Sequence, residues 1–375
     1  MRTVICPPTA AGSLGDEAVV RGALEGLRQT VGPALIIEQG YPWYRDQLGV
    51  RSTAIAPRVL PVKVRKSVNT AVRAAAQRLA VDIYLPSTDV LDGFYGATAL
   101  LARLTALRRI AERGTRLHFV GFSWEGAPTS ITDALRTLPN ARFSARDEHS
   151  REFFSAQTRL QCGLGSDLAY LVSPFQKPTF STVERLSRWR EQGLKIVGLT
   201  PNALWSERYP GIVSSLARLV RHRDMADVAF VFVPHDSRPG QSDVLLSEQI
   251  LDEAGTRHDS RVMIPAVPSF LSSRGILGQV DVHVAGRMHS GIAAMSMGTP
   301  AIMISLQDKV LGVLANAKQA DLAISRDHAA DTDSLAALVG RTLQQASDRR
   351  LALTEELPRL RSSALKGLVG PEHVR

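Results

Sequence analysis

Residues 280–300 have the sequence VDVHVAGRMHSGIAAMSMGTP. The alternation of apolar and polar residues predicts a strand over Val280–Ala285, and the small and apolar residues that follow predict a helix over Ser290–Met297. Gly298 stands where helices commonly end. A second apolar run predicts a strand over Ala301–Leu306. This stretch therefore predicts a strand–helix–strand unit of a parallel sheet.

The same alternation recurs along the chain of 375 residues. Further strands are predicted at Thr3–Cys6, Ala34–Glu38, Val81–Leu85, Arg116–Gly121, Asn140–Ser144, Lys195–Leu199, Val228–Val233 and Arg261–Ile264. Helices are predicted at Asp16–Gln29, Ala97–Glu112, Thr182–Gln192, Gly211–His222 and Asp243–Ala254, with a mostly helical tail from Thr332 to Ala364 that breaks at Pro358. Strands that alternate with helices are typical of parallel sheets covered on both faces.

A loop near residue 178 separates two such series. We therefore predict an α/β protein of two Rossmann-like domains, 1–178 and 179–375, with parallel sheets facing each other across a cleft. The last helix is expected to pack back on the N-terminal domain. Ligands of such sheets bind beyond the carboxyl ends of the strands, so the loops that follow strands are where a site is expected.

The bulk composition restricts the class of protein. Hydrophobic residues make up 44% and charged residues 22% of the chain, which is ordinary for a globular protein. No apolar run approaches the roughly 18–20 residues of a membrane span, and the first residues do not resemble a signal peptide. Cys6 and Cys162 are too few for a disulfide framework or a zinc site, and they suit a reducing cytoplasm, which is the predicted location.

The net charge of +9 is partly concentrated in residues 51–78, which contain seven lysines and arginines and no acidic residue. Within this segment an amphipathic helix is predicted. Two interpretations stay open: a peripheral contact with anionic lipid or a polyanionic substrate, or a surface helix packed on its own domain. No nucleic-acid-binding motif occurs, so nucleic acid is not an expected partner.

Arg287 and His289 lie where the strand Val280–Ala285 gives way to the next helix. One interpretation is an anion pocket, in which the amides of the helix N-terminus, including those of Met288 and Ser290, act with the arginine fork and a histidine proton donor. The other is an arginine paired with a structural carboxylate and a histidine that caps the helix. The sequence does not decide between them.

Other strand ends carry polar residues as well. Gly12 and Gly15 precede Asp16 and Glu17 after the first strand, without the third glycine of a dinucleotide site or the Gly-Lys-Ser/Thr of a P-loop. The acidic pair either matches the helix dipole or orients and deprotonates a substrate hydroxyl.

His235 follows the strand Val228–Val233, and Arg146 follows Asn140–Ser144. Arg146 either forms a structural ion pair with Asp147 or supplies a second cation to an anion pocket. His235 with Asp236 and Asp243 lacks a second histidine at ligand spacing, so no metal site is predicted.

Taken in order, these segments resemble the polysaccharide pyruvyl transferase family. Gly-x-x-Gly-Asp-Glu (Gly12–Glu17) comes first, then Arg-Asp-x-x-Ser (Arg146–Ser150) followed by Asp167, and then Pro-His-Asp (Pro234–Asp236). Last comes Arg-x-His-x-x-x-x-Ala-x-x-x-Gly-x-Pro (Arg287–Pro300), followed by the pair Asp308-Lys309. The resemblance spans about residues 3–320.

The resemblance implies a fold similar to the GT-B glycosyltransferases and a transferase that moves the carboxyvinyl carbons of phosphoenolpyruvate onto a sugar as a cyclic ketal. Phosphate is released, and no cofactor or metal is needed. It implies that Arg287 and His289 bind the donor, with His289 as general acid or phosphate partner and with Arg146 and Lys309 as further cations. Asp16 or Glu17 would serve the acceptor hydroxyl of a cell-surface polysaccharide or glycolipid precursor.

The sequence departs from the family pattern at three places. Ser13 replaces the usual asparagine, Leu306 and Gln307 stand where a tyrosine is usual, and the segment 86–93 has its only glycine at Gly93. Two alternatives therefore remain: a GT-B glycosyltransferase that uses a nucleotide sugar, and a non-catalytic family member that binds an anionic glycan.

Overall fold

A computed structural model describes residues 2–6, 12–32, 34–39, 52–55, 81–86, 91–94, 96–306 and 309–371. Within these residues the strands are β1 (Arg2–Ile5), β2 (Ala34–Gln39), β3 (Ser52–Ile55), β4 (Val81–Pro86), β5 (Arg116–Phe122), β6 (Ala141–Ala145), β7 (Cys162–Leu164), β8 (Lys195–Thr200), β9 (Val228–Phe232), β10 (Val262–Met263), β11 (Val282–Ala285), β12 (Ala301–Ser305) and β13 (Ala323–Ser325).

The helices are α1 (Leu14–Thr30), α2 (Ala97–Ala111), α3 (Thr129–Arg136), α4 (Glu148–Thr158), α5 (Phe180–Glu191), α6 (Pro210–Val220), α7 (Asp243–Ala254), α8 (Phe270–Leu277), α9 (Met288–Met295), α10 (Lys309–Asn316), α11 (Arg326–Ala330), α12 (Thr332–Gln344) and α13 (Ala346–Val369). The predicted amphipathic helix lies outside the described residues. Of the basic segment 51–78, only β3 is described.

The first sheet is parallel, with the strand order β3-β2-β1-β4-β5-β6-β7. Strand β1 is an interior strand: Val4 is in register with Leu35 on one side and with Ile83 on the other. Its side chains alternate between two cores. Val4 and Cys6 pack in a cluster with Leu104 of α2, and Ile5 packs in the cluster on the other face with Val19 of α1. Both faces of the sheet are therefore covered, as parallel sheets require.

The second sheet is also parallel, with the order β10-β9-β8-β11-β12-β13. Val197 of β8 is in register with Phe230 of β9 and with Val282 of β11. All five residues of β9 are buried, which agrees with a strand covered on both faces. The predicted α/β class with two parallel sheets is confirmed.

The contacts within the chain divide it into two compact units. The first comprises Met1–Ala11, Asp16–Val172 and Arg359–Arg375, and the second comprises Gly12–Gly15 and Ser173–Pro358. The glycine-containing loop before α1 therefore belongs to the second unit. In the first unit, Ala364 and Leu368 of α13 pack in the same cluster as Ile5.

Helix α13 continues through Pro358, so the predicted break at this residue is wrong. A proline in a helix interior removes one backbone hydrogen bond and usually bends or breaks the helix. Here Leu357 and Leu360 on either side are buried, so packed residues flank the proline within the continuous helix. Among the described helices, none has the length and apolar character that crossing a membrane requires.

Candidate active site at the carboxyl ends of strands β8, β9 and β11

Three neighbouring strands of the second sheet end at one edge, where their loops are joined by hydrogen bonds. The backbone N–H of Gly286 donates to the carbonyl of Thr200 at 2.7 Å, and the Asn202 side-chain amide donates to the Gly286 carbonyl at 2.8 Å. A side chain at Gly286 would come within 2.7 Å of the Thr200 carbonyl oxygen. The glycine therefore allows the loop that carries Arg287 to lie directly against the end of β8.

Arg287 pairs with Asp243, the first residue of α7. Its Nη2 lies 2.8 Å from Asp243 Oδ1 and its Nε lies 3.1 Å from Oδ2. Asp243 is fully buried and also accepts the backbone N–H groups of Ala203 (3.0 Å) and His235 (3.2 Å). Burial raises the pKa of the Asp243 carboxyl, and the neighbouring Arg287 opposes that shift. The structural ion pair that was one interpretation of Arg287 is therefore present.

The third nitrogen of the Arg287 guanidinium, Nη1, is held less tightly than the two that bind Asp243. Arg287 Nη1 lies 3.5 Å from Asp236 Oδ2, which is an ion pair rather than a short hydrogen bond, and the side chain is 13% exposed. Asp236 is held by Arg238, whose Nε lies 2.9 Å from Asp236 Oδ1. The carboxylates thus fix the orientation of Arg287 from two sides.

The segment Gly12–Gly15, which includes the first two residues of α1, lies against the loop that follows β9. The Leu14 N–H donates to the His235 carbonyl at 3.0 Å, and the Ser237 N–H donates to the Gly12 carbonyl at 3.0 Å. Gly12 has a φ of 98°, a left-handed conformation that favours glycine. The first and third sequence motifs therefore meet within the second unit.

Gly15 lies directly against His289. A Cβ atom built on Gly15 would be 2.7 Å from His289 Nδ1 and 3.2 Å from Cγ. Carbon and nitrogen atoms do not approach so closely without displacement, so the imidazole ring occupies space that a side chain at position 15 would need. The glycine and the histidine of the predicted site are thus in contact.

We expect Gly15→Ala to displace the His289 ring and so to slow about tenfold or more any turnover in which this ring takes part, because a displacement of about 1 Å in a reacting side chain is costly. The fold should persist, since Gly15 lies in α1 and alanine has a higher helix propensity than glycine. Gly340→Ala is the matched control: Gly340 lies in α12 with no atom within 4 Å of an added Cβ. The rate and the melting temperature of both variants would be compared with wild type. An unchanged rate in Gly15→Ala would contradict the role of this contact.

Two further histidines are buried around the site. His283 of β11 lies with its Nε2 3.0 Å from Ser290 Oγ, which itself donates to the Arg287 carbonyl at 2.7 Å. Burial lowers the pKa of His283 to about 3. The pKa of His235 is also lowered, by burial first and then by His283, His289 and Arg287. Both rings are therefore neutral near pH 7, and Ser290 serves as a structural link.

These shifts predict a pH dependence of stability. Between about pH 6.5 and 5.5 the unfolded chain binds protons at both histidines while the native protein does not, so unfolding becomes easier as the pH falls, by up to about 1.4 kcal/mol per pH unit for each. Urea unfolding across this interval measures the slope. The slope should be shallower in His283→Gln, and an equal slope in this variant would contradict the assignment.

Two further residues of the second unit were predicted to bind the donor substrate, Met288 and Lys309. Met288 is the first residue of α9, and Arg287 is its N-cap residue without a side-chain capping bond. Lys309 is the first residue of α10 and is partly exposed. Asp308, which precedes it in the Asp-Lys sequence motif, lies outside the described residues. The part of the chain that is described contains no group of three His, Cys, Asp or Glu side chains suited to a metal ion.

Arg146 lies in the first unit and is fully buried. Its Nε donates to Ser123 Oγ at 2.8 Å and its Nη1 lies 3.1 Å from Asp167 Oδ2. Asp147 caps α4 by accepting the Ser150 N–H at 2.8 Å. The Arg-Asp-x-x-Ser motif thus builds the start of a helix and a buried ion pair. The interpretation of Arg146 as an accessible cation is therefore not supported. The alternative, a structural ion pair, is present, but the partner of Arg146 is Asp167 and not the predicted Asp147.

The two acidic residues at the start of α1, Asp16 and Glu17, differ in their burial. Glu17 is fully buried and its Oε1 accepts Arg21 Nε at 2.5 Å, whereas Asp16 is partly exposed. A buried, paired carboxylate is a poor base for a substrate hydroxyl. Of the two predicted residues, only Asp16 is accessible from outside the protein.

Solved structures share this architecture. A glycosyltransferase from Rickettsia africae ESF-5 is 11% identical, with a TM-score of 0.60 and coverage of 99% of each chain. A UDP-GlcNAc 2-epimerase from Neisseria meningitidis is 12% identical, with a TM-score of 0.58 and 97% coverage of each chain. An alpha,alpha-trehalose-phosphate synthase (UDP-forming) from Burkholderia xenovorans is 12% identical, with a TM-score of 0.59 and 98% coverage of each chain. At such identities the likeness shows the fold alone, which is GT-B.

The family model of the polysaccharide pyruvyl transferases matches residues 14–308. The chain belongs to this family, and the family resemblance of its motifs is confirmed. The matched range includes Arg287, His289, His235 and Asp243, whereas Gly12 and Lys309 lie just outside it.

Proposed function

We propose that this chain transfers the pyruvyl group of phosphoenolpyruvate to two hydroxyls of one sugar and releases phosphate. The observation that carries the proposal is the anchored Arg287 beside His289, within a family of transferases. In the reaction, C3 of the enol gains a proton and becomes a methyl group. C2 forms bonds to two acceptor oxygens and loses its bond to the phosphate oxygen. Of the two hydroxyl protons, one replaces the proton given to C3 and the other leaves with phosphate.

Arg287 is the proposed anchor of the donor. A guanidinium binds carboxylate and phosphate groups through several directed hydrogen bonds. Asp243 occupies the Nε and Nη2 side of this fork, so the side around Nη1 would meet the ligand. Because Asp243 and Asp236 fix the arginine before the ligand arrives, little side-chain entropy is lost on binding. The partly exposed Lys309 is proposed as a second cation.

His289 is the proposed acid that protonates C3. Histidine exchanges protons near neutral pH, which suits an acid that must regain its proton before the next turnover. Its ring is positioned by Gly15 on one side. His235 and His283, both held neutral by burial, are better suited to supporting the site than to donating this proton.

The proposed acceptor is a sugar of a cell-surface polysaccharide or glycolipid precursor, with Asp16 to orient or deprotonate its hydroxyl. We further propose that the protein works in the cytoplasm, with a peripheral contact between residues 51–78 and anionic lipid. Vesicle sedimentation tests this contact: wild type should sediment with anionic vesicles, and a variant without these charges should not. Equal sedimentation of both would contradict the membrane contact.

The function is tested by incubating the protein with phosphoenolpyruvate and a panel of sugar acceptors. We expect release of phosphate that depends on the acceptor, together with a mass spectrum showing one pyruvyl group on the sugar. His289→Asn should reduce the rate about a hundredfold or more. His258→Asn, which alters an exposed histidine of the same unit, is the matched control and should retain activity. Transfer from a nucleotide sugar without use of phosphoenolpyruvate would contradict the proposal and identify a glycosyltransferase.

A further inference from the structure

Arg103 of α2 is a cation without a compensating charge in the described part of the first unit. Its Nε is buried and has no hydrogen-bond partner there, and none of the described carboxylates forms an ion pair with it. The residue as a whole is partly exposed. Burial lowers the pKa of the guanidinium. Burying an arginine without a partner is costly, which is a reason to look for a ligand that supplies the missing anion.

Cys6 lies on the side of the first sheet that is covered by α2, the helix that carries Arg103. It follows β1 directly, and its N–H donates to the Tyr84 carbonyl at 2.9 Å. Its thiol packs on the α2 side of the sheet, in the cluster that contains Leu100 and Leu104. Burial raises the pKa of the Cys6 thiol to about 11, although Arg103 opposes the shift. The thiol is therefore neutral near pH 7 and does not neutralise the guanidinium.

The strand order of the first sheet shows that Cys6 lies where a ligand site is expected. From β1, the chain adds β2 and β3 on one side, and β4 to β7 on the other. The order thus reverses between β1 and β4, and ligands of open parallel sheets bind at such a reversal, beyond the carboxyl ends of the strands. Cys6 lies at the carboxyl end of β1, and α2 is the first described helix after β4.

We propose that Arg103 binds a phosphate group carried by the sugar acceptor. An arginine that is partly exposed at the reversal of the sheet can be reached by a ligand, and its planar fork fits phosphate oxygens. A sugar that is being built into a polymer is carried on a phosphate ester, of either a nucleotide or a lipid. That the phosphate belongs to the sugar acceptor rests on the proposed function, whereas phosphate binding at Arg103 does not.

Calorimetry and thermal unfolding test the proposal with inorganic pyrophosphate as the probe. Arg103→Met should bind pyrophosphate at least about tenfold more weakly than wild type, since a hydrogen bond to a charged group is lost. Without the probe it should melt at the same temperature as wild type or higher, because an uncompensated buried charge is removed. Arg109→Met is the control, since Arg109 is an exposed residue of the same helix, and it should behave as wild type.

Pyrophosphate binding that is equal in wild type and Arg103→Met would overturn the proposal. A lower melting temperature of Arg103→Met with unchanged binding would overturn it too, and would make Arg103 structural. If Arg103→Met fails to fold, Arg103→Lys decides in the same way, because it keeps the charge and loses the planar fork.

Two further probes identify the carrier. Tighter binding of farnesyl diphosphate than of UDP would support a lipid-linked acceptor, and the reverse would support a nucleotide-linked one. Phosphoenolpyruvate binding is measured in the same variants and should be unaffected by Arg103→Met. Failure of phosphoenolpyruvate to bind even wild type would count against the proposed function, while the loss of pyrophosphate binding in Arg103→Met would still support the phosphate site.

Discussion

Arg287→Ala is expected to weaken phosphoenolpyruvate binding about a hundredfold or more. The variant removes at least one hydrogen bond between charged groups, each worth about 1.5–3 kcal/mol, and it removes a cation next to the two aspartates Asp236 and Asp243. Both carboxylates would then repel an anionic donor. Calorimetric titration of phosphoenolpyruvate into wild type and variant measures the change.

The control for this prediction is Arg238→Ala. Arg238 also pairs with Asp236, and its side chain is 26% exposed, but it makes no contact with Asp243 among the described residues. It should therefore weaken donor binding by much less than Arg287→Ala. Equal losses in the two variants would mean that donor binding follows the net charge of the loop rather than the oriented guanidinium of Arg287.

Asp243→Ala is expected to lower the free energy of unfolding by about 3 kcal/mol. Removing one partner of a buried ion pair typically costs about 3–5 kcal/mol. A value at the lower end is expected, because the Arg287 side chain is 13% exposed and keeps its ion pair with Asp236. The N–H groups of Ala203 and His235 also lose their acceptor. Urea unfolding of wild type and variant gives the difference.

Asp243→Asn separates the hydrogen bonds from the charge. Asparagine keeps one acceptor oxygen, and it avoids the burial cost that raises the pKa of the Asp243 carboxyl. The loss of stability should therefore be smaller than for alanine, at about 1 kcal/mol. Because Arg287 loses its ionic partner, the KM for phosphoenolpyruvate should nevertheless rise. An unchanged KM together with unchanged stability would show that Asp243 does not position Arg287.

The regular elements with long apolar patterns were predictable from the sequence. Helix α7 has the predicted bounds Asp243–Ala254, and β8 extends only one residue beyond its prediction. The strands Ser52–Ile55 and Cys162–Leu164 were missed, since each has at most four residues and lies at a sheet edge. Such short strands have little periodic signal, and their formation depends on pairing with a neighbour.

The grouping of the candidate residues at one sheet edge was predictable from the sequence, and their contacts were not. The loops after strands indicated Arg287, His289 and His235, because the carboxyl edge of a parallel sheet is where ligands bind. Asp243 was considered only as a metal ligand, and its pairing with Arg287 joins residues 44 positions apart. No local pattern reports such a contact.

Burial was the second property that the sequence did not show. Arg146 and Glu17 carry charges that suggested contact with a ligand, yet both side chains are fully buried and paired. One signal was available: Asp147 and Ser150 have the spacing of a helix N-cap. That spacing indicates that the segment starts a helix, which is a structural role for the motif that contains Arg146.

The most direct test of the central claim is calorimetric titration of wild-type protein with phosphoenolpyruvate, and separately with UDP and GDP. We expect that phosphoenolpyruvate binds and that neither nucleotide competes with it. Binding of UDP or GDP in place of phosphoenolpyruvate would contradict the proposed function and would indicate a glycosyltransferase that uses a nucleotide sugar.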